Sequence, residues 1–296
     1  MKNNTIKHLL IILTVLLIAA LVAVAGGQGS ITVAGWPLFA LCAVLAFVIQ
    51  WLAFIPAWKA QTEKFYDLTG SLTFISLTLV ALLLSPEPDA RSLLLALLVL
   101  VWAIRLGSFL FLRIRKEGSD GRFDEIKPVF TRFLLTWTLQ GLWVFLTLSA
   151  ALLVITASAR VPLEFFAFAG LLVWLTGFSL EVIADAQKRR FRNDPANAGR
   201  FINTGLWAWS RHPNYFGEIL LWLGVTLIAV PVLSGWQWVI IISPVFVTLL
   251  LTRVSGIPML EARAAKRWGN DPEYQLYLAT TSRLVPLPPG RSASQP

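Results

Sequence analysis

An arginine, a histidine, an asparagine and a glutamate fall within one short stretch, Trp207 to Glu218, which reads Trp-Ala-Trp-Ser-Arg-His-Pro-Asn-Tyr-Phe-Gly-Glu. Pro213 suits the first position of a helix, because proline lacks the N–H that would be unpaired there anyway. A helix starting at Pro213 points its free N–H groups toward Arg211 and His212, making a pole that attracts anions. Asn214 and Glu218 are four apart and share a face of that helix. Glu218 then lies a full turn inside an apolar run, where a carboxylate needs a partner or a function. Arg192 and Arg200 precede the stretch, and arginine grips phosphate in a planar fork. His212, next to a proline at a helix start, reads as a phosphate contact or a cap. Asp185 either accepts hydrogen bonds from a sugar or base or pairs with neighbouring arginines. A second group, Tyr66 and Asp67, opens another apolar segment, where a phenol and a carboxylate could move a proton or simply cap and pack the helix.

The elements that must carry these groups are membrane helices. The chain has 296 residues, of which 56% are hydrophobic and 14% charged, well below the roughly 25% charged content of soluble domains. Apolar segments fall at about 8–25, 36–57, 69–84, 92–112, 130–157, 162–183, 215–231 and 236–254, each near the ~20 residues that span hydrocarbon. The first, preceded by Lys2 and Lys7, resembles a signal peptide, but no small-residue cleavage site follows, so it is expected to be retained. The expected fold is all-α, a polytopic transmembrane bundle of about eight helices whose cytoplasmic loops form a cofactor site. One set of loops holds nearly all the Lys and Arg, while the opposite set holds only Arg91 and Arg160. That split orients the basic side and both termini toward the cytoplasm, and in a bacterium places the chain in the inner membrane. It also accounts for the net charge of +9 without nucleic acid as a partner. The loop at 26–35 is expected to be a flexible external turn. One cysteine and two histidines argue against a disulfide framework or a structural metal. The expected organisation is an additional N-terminal helix and loop at 1–35, one membrane domain at 36–287, and a disordered end at 288–296.

Four cytoplasmic stretches hold most of the polar candidates: Glu63 to Gly70, Arg113 to Lys127, Glu181 to Glu218, and a tail with Glu261, Arg263, Trp268, Tyr274 and Tyr277. The run Gly205 to Glu218 resembles the C-terminal region of steroid 5-alpha-reductase-like membrane enzymes, and sterol reductases carry a similar Ser-Arg-His-Pro-Asn-Tyr run. Arg105-Leu106-Gly107, Gln140-Gly141, Asp185 to Arg192 and the tail extend the resemblance over about residues 60–287. It implies NADPH as cofactor and reduction of a carbon–carbon double bond conjugated to a carbonyl in a lipophilic substrate reaching the enzyme from the bilayer. By resemblance, Asp185, Arg192, Arg200, Asn214 and Glu218 contact NADPH, with Arg113 or Arg115 joining on phosphate; Arg211 and His212 complete the set read from the residues. Where steroid reductases use a Gln-Glu pair and a tyrosine on the next helix, this chain holds Tyr66-Asp67 and Trp102. Tyr66 would then be the phenolic donor and Asp67 its orienting partner, a departure that leaves a steroid substrate in question. Two alternatives remain open. Isoprenylcysteine-type methyltransferases share a His-Pro-x-Tyr-x-Gly run but bind S-adenosylmethionine, which has no phosphate for the arginines. A non-catalytic membrane protein would leave Glu218 unexplained.

Overall fold

A computed structural model describes residues 2–117 and 120–288. Nearly every apolar segment becomes a helix, because a backbone in hydrocarbon must satisfy its hydrogen bonds internally. In chain order these are α1 (Lys2–Gly26), α2 (Leu38–Ala60), α3 (Tyr66–Leu84), α4 (Ala90–Glu117), α5 (Phe130–Thr156), α6 (Phe165–Asn193) and α7 (Pro213–Ala229). A 3-10 stretch, Gly235–Ile241, leads into α8 (Ile242–Leu249), a π-helical turn (Leu250–Val254), α9 (Gly256–Trp268) and α10 (Pro272–Thr280). Among the described residues, eight helical stretches are long and apolar enough to cross a membrane. The protein is a polytopic all-α membrane bundle.

The chain divides into two compact units, Met1–Phe168 with Val225–Ser243, and Ala169–Gly224 with Pro244–Pro296. In the first unit α5 is central: α1, α2, α3 and α4 all pack against it, and every residue from Val144 to Thr156 is buried. A polar chain crosses this apolar interior. Gln50 Nε2 donates to Thr73 Oγ1 at 2.7 Å, and Gln140 Nε2 donates to Gln50 Oε1 at 2.9 Å and to the Tyr66 carbonyl at 2.9 Å. The amides thereby satisfy one another, as buried polar groups must.

The two basic residues of the opposite loops are structural. Arg91 is fully buried at the start of α4. Its guanidinium donates to the carbonyls of Val161 (3.2 Å), Ile228 (2.5 Å) and Pro162 (2.5 Å), binding the loop before α6 to the end of α7. Arg160 donates to Ser92 and Ser85. The loop at 26–35 is likewise ordered, contrary to expectation. Its strands β1 (Thr32–Val33) and β2 (Trp36–Pro37) form an antiparallel hairpin through a turn with positive φ at Ala34 and Gly35, a geometry that matches strand twist. Ile31 N–H donates to the Thr156 carbonyl and Ser158 N–H to that of Gly29, so the end of α5 holds the hairpin in place.

In the second unit α6 and α7 cross closely because their contact is built from glycine. A Cβ added at Gly177 would lie 2.5 Å from the Gly217 carbonyl, and one at Gly217 would lie 2.5 Å from the Gly177 carbonyl. Gly224 meets the Gly170 carbonyl in the same way one turn-pair further on. Small residues at such a crossing let backbones approach where lipid supplies no hydrophobic driving force. Gly217→Ala is expected to destabilise the protein by about 1–3 kcal/mol through overpacking, measurable as a lower melting temperature in detergent. An unchanged melting temperature would show that the crossing yields freely.

Candidate functional site

The second unit holds a cavity of about 310 Å3, at the lower end of the range for small-molecule sites. Three helices and one turn build it, each through positions at helical spacing. The end of α6 gives Lys188, Phe191 and Arg192; α9 gives Leu260, Glu261, Arg263, Ala264, Arg267 and Trp268; α10 gives Tyr274, Tyr277 and Leu278. The connection from α6 to α7 contributes Arg200, Phe201, Trp207, Arg211 and His212. Spacings of three and four residues bring side chains onto one helix face, so each helix presents a coherent wall.

The connection keeps its shape through bonds to fixed neighbours. Gly205 has φ +62°, and a side chain there would strike the Gln187 amide, which instead accepts from Leu206 N–H at 2.9 Å. Trp207 Nε1 donates to the Ala184 carbonyl at 3.0 Å, and Tyr277 Oη donates to the Trp207 carbonyl at 2.7 Å. Burial also pushes the Tyr277 phenol above its usual range, so it stays a protonated donor. The tail then latches the turn. Arg211 N–H donates to the Ser282 carbonyl, Leu287 N–H to the Trp209 carbonyl, and Ser210 Oγ to the Leu284 carbonyl.

Charge in the cavity is one-sided. Lys188, Arg192, Arg200, Arg211, Arg263 and Arg267 face a single carboxylate, Glu261. Glu261 is occupied: Arg211 lies at 3.3 Å, Arg283 at 2.8 Å and His212 Nε2 at 3.4 Å. Among the described residues, Arg192, Arg200 and Arg263 have no acidic partner within ion-pair distance. The rings of Phe201, Trp268, Tyr274 and Tyr277 cluster with centroids 5.1–5.9 Å from Phe201. Lys188 Nζ sits 4.4 Å from the centroid of the Trp207 ring, a cation–π distance. Unneutralised guanidinium groups beside flat rings are suited to a ligand that carries phosphate and a planar base.

His212 is 6% exposed. Burial, helped by the charges of Lys188 and Arg211 and opposed by Glu261, pushes its imidazole down to about 4. It is therefore neutral at pH 7, and its bond to Glu261 uses Nε2–H, leaving a buried Nδ1 lone pair that has no hydrogen-bond partner among the described residues. The sign of the pH effect follows. Between pH 6.5 and 4 the unfolded chain takes up a proton that the folded chain does not, so stability falls as pH drops through that window and levels off below it. His212→Asn is expected to remove this slope, read by thermal unfolding from pH 7.5 to 4. A variant with the wild-type slope would refute the assignment.

The residues singled out in the sequence divide between the units. Arg192, Arg200, Arg211 and His212 line the cavity. Helix α7 begins at Pro213 as expected, but none of its own residues, Pro213–Ala229, lines the cavity. The N–H groups of Arg211 and His212 are also taken, by the Ser282 carbonyl and Ser210 Oγ. Anion attraction therefore comes from side chains and not from the helix pole. Asp185 accepts from Asn214 Nδ2 at 3.2 Å, and that pair and the half-buried Glu218 stand outside the lining. Arg113 and Arg115 lie in α4, with side chains outside the described residues.

Tyr66 and Asp67 belong to the first unit. The Tyr66 hydroxyl donates to the Thr136 carbonyl at 3.0 Å, and its ring packs edge-on against Phe123 and Trp137 at 5.0 Å each. Asp67 sits in the first turn of α3, with Phe65 as the cap residue. To donate to a substrate oxygen, Tyr66 would have to release Thr136. Tyr66→Phe is expected to lower stability by about 1 kcal/mol through that lost bond, checked by thermal unfolding; no loss would mean that the bond is dispensable.

Sequence reading named Glu261 and Arg263 in the tail and Lys188's stretch without assigning them to the cavity, and it missed Arg267. Their helical spacing was the available signal, diluted by the abundance of Lys and Arg that membrane orientation alone produces.

A membrane helix bundle whose second unit holds a basic, ring-lined cavity defines an integral membrane protein with a site suited to an anionic, partly planar ligand. Residues 53–281 match the family described as protein of unknown function, DUF1295, and the chain belongs to that family, which is associated with steroid 5-alpha-reductase-like proteins. An uncharacterized protein of Schizosaccharomyces pombe is 26% identical over 165 residues, covering 46% of this chain and 48% of the relative. The match thus spans about half the length of that relative. No solved structure matches.

Proposed function

We propose that this protein is a membrane-embedded reductase that uses NADPH to reduce a carbon–carbon double bond conjugated to a carbonyl in a lipophilic substrate. One observation carries the reading: six cations and a set of aromatic rings converge on one cavity with a single, already paired carboxylate. Arg192, Arg200 and Arg263 would hold phosphate, and the rings around Phe201 would stack on the base. The neutral His212 would accept a hydrogen bond at Nδ1. A cavity of about 310 Å3 suits the phosphate-and-base end of the cofactor. Asp185, Asn214 and Glu218 are then assigned to its remainder, as the family resemblance implies. When bound, NADPH supplies the hydride; the protein's task is to orient it and to stabilise the oxyanion that develops on the substrate. Tyr66 and Asp67 are the proposed proton donor and its orienting partner. The lopsided distribution of Lys and Arg supports a bacterial inner-membrane location with both termini in the cytoplasm.

The test is a thermal-shift comparison of the purified protein with NADPH, NADH and S-adenosylmethionine. A ligand at a hundred times its Kd stabilises the folded state by about 2.7 kcal/mol. NADPH is expected to raise the melting temperature most. A shift with S-adenosylmethionine alone would point to methyl transfer, and no shift with any of the three would overturn the cofactor assignment.

A further inference from the structure

A second cavity, of about 570 Å3, lies within the first unit between the N-terminal ends of α1 and α5. Its lining is polarised along the helices. Lys7 and His8 on α1 and Arg132 on α5 form one end. Ile11, one turn below Lys7, and Leu135 and Leu139, one and two turns below Arg132, form the other, together with Thr136, whose hydroxyl donates to the Arg132 carbonyl. Two turns of helix correspond to about 10 Å, so the crevice passes from a cationic rim to an apolar floor over the depth of a lipid headgroup region.

We propose that this crevice binds an anionic phospholipid of the surrounding leaflet, its phosphate at the rim and the upper part of an acyl chain along the floor. Charge complementarity chooses the occupant. A zwitterionic lipid would bring its own cation beside Lys7 and Arg132 and cancel part of the attraction, and a water-soluble phosphate would leave the apolar floor empty. The donors are accessible. Arg132 Nη1 donates to the Glu125 carbonyl at 3.0 Å, which leaves most of its five N–H groups for a phosphate. The Glu125 carboxylate, at 4.0 Å, is 89% exposed and screened by water. His8 is held in place through Nδ1 against Thr131 Oγ1 at 2.9 Å, so its Nε2 edge remains available. Val129, at the cap position before α5, offers no side-chain cap, and the first-turn N–H groups of the helix add to the positive field. One wall, α1, lies outside the family match, which begins at residue 53. The site lies in the first unit and stands independently of the nucleotide reading.

The experiment uses the full chain in neutral detergent and follows its melting temperature with dioleoylphosphatidylglycerol, dioleoylphosphatidylcholine or glycerol 3-phosphate. The anionic lipid is expected to raise it, and the other two to leave it within error. In the double variant Lys7→Gln/Arg132→Gln the apparent affinity for phosphatidylglycerol should fall at least tenfold. The control Lys59→Gln/Arg189→Gln, which removes equal charge from exposed positions elsewhere, should keep it. Leu139→Trp should weaken it at unchanged charge by filling the floor. Equal loss in the control would reduce the effect to general membrane electrostatics and overturn the proposal, as would an equal shift with phosphatidylcholine. If the double variant does not fold, Leu139→Trp decides, and full retention of the phosphatidylglycerol shift there refutes the site.

Discussion

Replacing Arg200 and Arg263 together with glutamine is expected to lower affinity for NADPH by at least a hundredfold while leaving the unliganded protein as stable as before. Each charge-assisted bond from a guanidinium to a phosphate contributes about 1.5–3 kcal/mol, and roughly 1.4 kcal/mol corresponds to a factor of ten. Among the described residues neither arginine holds an ion pair, so their removal strands no buried acid. This separates them from Arg211, whose loss would also expose Glu261. A fluorescence titration with NADPH, alongside melting temperatures without ligand, checks both halves. Unchanged affinity would remove the cavity from cofactor binding.

Arg91→Met should have the largest effect on stability, about 4 kcal/mol. Its guanidinium answers three main-chain carbonyls from two segments distant in sequence, and each buried carbonyl left without a donor loses roughly 1–3 kcal/mol. Part of that is recovered where water reaches the loop. Arg91→Lys should rescue little, because an ammonium is a compact point charge without the planar fork that spans three acceptors. Thermal unfolding in detergent reads the loss. A melting temperature within a degree or two of the parent would mean that the carbonyls find other donors.

How far the residues alone led depended on which physical rule was at work. The spans were legible because hydrocarbon leaves no alternative to a continuous helix, and Pro213 marked the start of α7 because proline tolerates that position. Arg192, Arg200 and Arg211 were legible because guanidinium chemistry is specific. What lay hidden depends on tertiary neighbours. The Tyr66 hydroxyl could have faced a substrate or a backbone; only the position of Thr136 on α5 decides that it donates to a carbonyl. Helices α9 and α10 are amphipathic or short, and in a tail rich in charge their periodicity does not rise above a solvated surface. The outer hairpin lacked the usual turn pair at Ala34-Gly35, and its order comes from bonds to α5.

The latch between residues 282–287 and the turn at Trp209–Arg211 sets an order of events in biosynthesis. Among the described residues, all eight stretches long and apolar enough to cross a membrane precede residues 282–287 in the chain, so they are synthesised before that segment. The turn that carries Arg211 into the cavity gains its latch only afterwards. A nascent chain stalled short of Ser282 would hold every such stretch and still lack the bonds that fix the turn at Trp209–Arg211.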